Sequence, residues 1–108
     1  MGALAAPILP GKLDAWEAWM VELTGPRKAE LDDMNARYDL TGHRAWLQQT
    51  PDGHHMVVVV LDGPGGDTFM GTLAGSDNGF DAWFRGKVTE VHGMDFSGPP
   101  PPAPRQVL

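Results

Sequence analysis

Apolar residues along this chain recur with two periods, and the periods mark its elements. Ala3, Leu4, Ala5, Ala6, Ile8 and Leu9 form an almost continuous apolar run that reads as a strand. Pro7 cannot donate to a ladder, so this strand lies at a sheet edge or carries a bulge there; Pro10 and Gly11 end it. Leu13, Trp16, Met20 and Leu23 then return at helical spacing, with Trp19 alongside. Thr24, Gly25 and Pro26 interrupt the stripe, which Arg27, Leu31, Met34 and Tyr38 resume. The spacing predicts one long kinked helix or two abutting helices over residues 12–38, with Pro26 in the first turn of the second piece and Thr24 or Gly25 as its cap.

A hairpin follows. Residues 43–50 alternate and include Trp46 and Leu47, Pro51, Asp52 and Gly53 supply turn chemistry, and residues 54–61 return as the second arm. With residues 50–53 as the loop, Gln49 faces His54, Leu47 faces Met56 and Ala45 faces Val58. On the other face Gln48 meets His55, Trp46 meets Val57 and Arg44 meets Val59. Residues 62–66 read as a loop and 67–74 as a short helix. A sharper helical stripe of Phe80, Trp83, Phe84, Val88 and Val91 occupies residues 79–92, with Ser76, Asp77 or Asn78 as cap and Gly93 just past its end. Residues 94–96 suggest a short last strand, and Pro99 to Pro102 with Pro104 a polyproline-like tail. The order is βαββαβ: an α+β, ferredoxin-like domain over residues 1–97, with helices on one face of an antiparallel sheet and a proline-rich tail over 98–108.

A sheet with one wet face alternates apolar and polar residues, but Met56, Val57, Val58, Val59, Val60 and Leu61 do not alternate. Both faces of this strand call for burial, and helices cover only one. Each apolar side chain left in water forfeits roughly 1.5–3 kcal/mol. A homodimer through the sheet face meets the need, as does the tail folded over that face.

Composition narrows the partners. Eight Lys and Arg against 14 Asp and Glu give a net charge of −6, which disfavours nucleic acid and anionic membranes. The absence of Cys excludes disulfides, thiol nucleophiles and thiolate metal sites. The opening ten residues lack a basic n-region and are too short to span a bilayer, so a cytoplasmic protein is expected. No His and carboxylate spacing matches a zinc enzyme, and residues 63–66 lack the Lys and Ser/Thr of a phosphate loop.

The stretches Ala6-Pro7-Ile8-Leu9-Pro10-Gly11-Lys12, Gly25-Pro26-Arg27, Trp46-Leu47-Gln48-Gln49-Thr50-Pro51 and Phe80-Asp81-Ala82-Trp83-Phe84, set in this order of elements, resemble the dimeric α/β-barrel superfamily. It includes antibiotic-biosynthesis-type and haem-degrading monooxygenases and an uncharacterised bacterial group. The resemblance runs over nearly the whole chain as an order of elements. It implies a pocket between sheet and helices in each subunit, and chemistry on a hydrophobic or aromatic small molecule without a cofactor. His92 or His54 would act as acid or base, with Trp83, Trp19, Tyr38 and Gln49 around the substrate. Trp83 and His92, nine residues apart, are also similar to the tryptophan and haem-ligating histidine of the haem-degrading members, although the first strand has no Asn where those enzymes carry one. Haem binding through His92 and a non-catalytic ligand-binding or interaction module are therefore the alternatives. The residues themselves allow plainer roles: His92 at the negative end of a helix dipole, and His54 exposed beside a turn.

Overall fold

The computed structural model describes residues 1–99 and 102–108; Pro100 and Pro101, in the middle of the expected polyproline stretch, lie outside the described residues. Three strands, β1 (Gly2–Pro7), β2 (Gly42–Gln49) and β3 (His55–Asp62), form one antiparallel sheet in the order β1-β3-β2. The valine-rich β3 is the central strand; Val57 and Leu61 on its inner face are buried, while Val58 on its outer face is 38% exposed. Pro7 closes edge strand β1, where its missing N–H costs no ladder bond.

The hairpin register differs by one residue from the expected one. Gln49 pairs with His55, Leu47 with Val57, Trp46 with Val58, Ala45 with Val59 and Arg44 with Val60. The loop is one residue longer because His54 belongs to it: the Thr50 N–H donates to the His54 carbonyl at 2.8 Å, and the Gly53 N–H to the Thr50 carbonyl at 2.9 Å. A slip of one residue reassigns side chains to faces. Val57 and Leu61 now share the inner face with His43, Ala45 and Val59, and Val57 is only 2% exposed. Trp46, expected beside Val57 and Val59, lies instead with Met56, Val58 and Val60 on the outer face.

Two separate helices, α1 (Leu13–Thr24) and α2 (Lys28–Arg37), occupy the long stripe. Neither Thr24 nor Gly25 caps α2. The Thr24 hydroxyl donates back to the Met20 carbonyl at 2.8 Å, and Arg27 stands at the N-cap without a side-chain bond. A single 3-10 turn (Gly66–Thr68) leads into α3 (Phe69–Gly75). The last helix, α4 (Gly79–His92), begins where expected: Asn78 Oδ1 accepts the Phe80 and Asp81 N–H groups. It ends at Gly93, whose φ of 71° suits glycine.

Residues 94–96 form no strand, so the full βαββαβ order is not formed. Asp95 Oδ1 accepts both the N–H and the hydroxyl of Ser97, which curls the chain, while Met94 and Phe96 pack against the core. Among the described residues the architecture is α+β: three antiparallel strands with four α-helices, and a core between the sheet's inner face and the helices.

Two devices fix the helical layer. Asp81, 0% exposed, accepts from Arg37 Nη1 and Nη2 at 2.8 and 2.7 Å, from the Tyr38 hydroxyl at 2.7 Å and from Ser76 Oγ at 2.7 Å. This ties α2 to α4 with a charge whose acceptor sites are filled. The glycines of the loop after β3 answer a second need. A Cβ at Gly65 would overlap the Tyr38 carbonyl, and one at Gly66 the Leu61 carbonyl. Backbone passes directly over backbone there, next to the end of α2 and the end of β3.

Candidate functional site

The inner sheet face and the helices do not close fully on one another. Between them lies a cavity of about 240 Å³. Its floor is Leu4, Val57, Val59, Ala45 and His43 of the sheet; α1 contributes Trp16, Trp19, Met20 and Leu23, and α4 contributes Phe84, Val88 and His92. Thr24 of α1, Leu31 of α2, Phe69 and Met70 of α3, and Met94 complete it. The lining follows from periodicity: alternate strand residues and successive turns of α1 and α4 converge on one space. No Lys, Arg, Asp or Glu lines it. A dry cavity of about 150 Å³ admits benzene, so this one suits one or two fused rings.

Four polar side chains interrupt the apolar wall, of which Thr24 keeps its hydroxyl on the Met20 carbonyl. Trp19, 4% exposed, carries an indole N–H with no hydrogen-bond partner among the described residues. An unmet buried donor of this kind costs about 1–3 kcal/mol. His43 places Nδ1 3.0 Å from Asn35 Oδ1. Burial holds its basicity down to about 4, so the ring is neutral near pH 7. His92 places Nδ1 2.8 Å from the Pro7 carbonyl oxygen; burial lowers its basicity too, against the opposing pull of that bond. The rings form a connected set. Trp19 meets Phe84 edge-on at 5.0 Å and His92 at 6.5 Å, and His43 lies 5.4 Å from Phe69 and 6.2 Å from Phe84.

The sequence-expected site residues divide. His92 and Trp19 line the cavity together. Trp83, nine residues before His92, lies outside it: the Arg27 guanidinium sits 4.1 Å from its ring centroid, and Phe80 packs beside it. Tyr38 is buried, but its hydroxyl serves Asp81. His54 is exposed in the hairpin loop, 3.9 Å from Asp52, and Gln49 is exposed at the end of β2. His43 also lines the cavity and is not among the sequence-expected site residues. Its only sequence signal is a histidine at an inward-facing position of an amphipathic strand. Arg44 pairs with Asp62 on the neighbouring strand at 3.0 Å.

The Trp83 and His92 pair that resembles haem-degrading members does not share the cavity, since His92 lines it and Trp83 does not. Among the described residues no group of three or more His, Cys, Asp or Glu could hold a metal ion, and no helix is long and apolar enough to cross a membrane. No protein-family model, curated protein or solved structure matches the chain.

Proposed function

We propose that this protein binds a small, largely apolar molecule of one or two aromatic rings in the cavity between sheet and helices. The observation that carries this reading is a 240 Å³ apolar cavity between sheet and helices, with Trp19, whose indole N–H has no partner among the described residues, in its lining. A natural sequence tolerates an unmet buried donor where function repays it, and a ligand acceptor would do so. The strand order β1-β3-β2 supports the ferredoxin-like reading, since it is that sheet's order without the fourth strand, which would flank β1. Pocket position agrees with the monooxygenase-like resemblance. Catalysis on the bound molecule is the extension of this reading, with His92, which lines the space, as acid or base.

Calorimetry with naphthalene as probe tests the binding. Saturable binding to the wild type, abolished in an Ala45→Trp variant that fills the cavity from β2, is expected. Absence of binding to the folded wild type would overturn the reading.

A second feature supports a homodimer. On the outer face Trp46 is 49% and Val58 38% exposed, beside Met56 and Val60. The chain carries a net charge of −6, yet this face holds one carboxylate, Asp62, already paired with Arg44. Two copies can therefore stack here without opposing charges. Residues Pro102, Ala103 and Pro104 lie in a groove beside β1, with Ala3 and Ala5, and leave Trp46 and Val58 uncovered. Light scattering at micromolar concentration is expected to give the dimer mass; a monomer mass would remove this part of the proposal.

A further inference from the structure

The two cavity histidines are held in one protonation pattern, and that pattern defines what they can recognise. Asn35 Oδ1 can only accept, so the His43 Nδ1 at 3.0 Å carries the proton. The Pro7 carbonyl can only accept, so the His92 Nδ1 at 2.8 Å carries one as well. A neutral imidazole has one N–H. Each ring therefore keeps a bare Nε2 lone pair, with no protein donor bonded to it among the described residues. Both rings line the cavity, and its hydroxyl-bearing lining residue, Thr24, already donates to the Met20 carbonyl.

We propose that Asn35 is a positioning residue that fixes His43 as an Nδ1–H tautomer, so that His43 Nε2 accepts a hydrogen bond from a neutral aryl hydroxyl of the ligand. The inference rests on the cavity being a ligand site. A hydroxyl suits it because it donates to an imidazole nitrogen that carries a lone pair. An ether or ketone accepts only and leaves the imidazoles unmatched. A carboxylate or phosphate would enter without a cation to meet it, since neither Lys nor Arg lines the space. Asn35 lies on α2 and outside the cavity lining, and reaches the site only through His43.

Three probes of similar shape separate this inference from the pocket reading beneath it: naphthalene, 1-methoxynaphthalene and 1-naphthol. The wild type is expected to bind 1-naphthol about tenfold more tightly than 1-methoxynaphthalene, the worth of one well-made hydrogen bond. His43→Phe is expected to keep naphthalene binding and lose the preference. Asn35→Leu should lower the preference and Asn35→Asp, which retains an acceptor, should restore it. Nitrogen-15 spectra of the wild-type imidazoles need no variant, and are expected to show His43 protonated at Nδ1 and bare at Nε2. Naphthalene binding without a 1-naphthol preference, or a His43 ring protonated at Nε2, overturns the tautomer inference alone. Failure of all three probes to bind overturns the pocket reading with it.

Discussion

Two polar assemblies sit within the same helical layer and differ in how completely they are satisfied. At one end Asp81 is enclosed by four donated hydrogen bonds from Arg37, Tyr38 and Ser76. At the other, Trp19 has a donor without an acceptor, and His43 and His92 have acceptors without donors. The first assembly has nothing left to offer a ligand and is strongly ionic. The second is neutral, apolar and incomplete. Saturated networks hold elements together, whereas unsaturated ones mark where something else belongs.

The sharpest way to break the comparison is to remove a partner from the saturated end. Arg37→Met leaves the buried Asp81 carboxylate without its cation, and is expected to cost about 3–5 kcal/mol in urea unfolding. A loss below about 1 kcal/mol, the range of exposed pairs, would mean that the bridge is ornamental.

Acid separates the two ends by pH. His43 has its folded pKa depressed to about 4 from 6.5, by burial. Below 6.5 the unfolded chain takes up a proton that the folded chain refuses, so stability falls between pH 6.5 and 4, by about 3 kcal/mol. His92 is lowered in the same direction by burial. Asp81 is held down to about 2 by Arg37, so its contribution is complete above 3.8 and is lost only as pH falls toward 2. Urea titrations across this range should show the histidine loss first, and His43→Phe should flatten it. A stability profile flat from pH 6.5 to 4 in the wild type would contradict the burial of a neutral His43.

The smallest expected effect on the fold lies on the outer face. Trp46→Glu should change monomer stability by less than about 0.5 kcal/mol, as for exposed sites away from packed features. The same change places a charge on the proposed contact and should halve the mass seen by light scattering. An unchanged mass would place any contact elsewhere.

Much of this architecture is legible in the residues. The stripe from Phe80 to Val91 and its terminal Gly93 give α4 directly, and the apolar run of residues 56–61 gives strand β3. The register is less legible, because Pro-Asp-Gly identifies a turn without stating whether His54 belongs to it. That single residue decides which face Trp46 occupies. The last strand fails because the side chain of Asp95 bonds locally to Ser97, a competition that hydrophobic spacing does not reveal. The site is legible in part: Trp19 and His92 fall on helices whose stripes converge. His43 depends on Asn35, in another element, and Asp81 on Arg37, 44 residues away. Pairings of that kind exist only once the chain has folded.

The most direct measurement follows the indole N–H resonances during a naphthalene titration. Trp19 lines the cavity and Trp46 lies on the opposite sheet face, so each protein molecule carries its own control. A saturable shift of the Trp19 signal, with Trp46 stationary, is expected. A Trp19 signal that stays fixed, or four indole signals drifting together without saturation, would contradict a ligand site between sheet and helices.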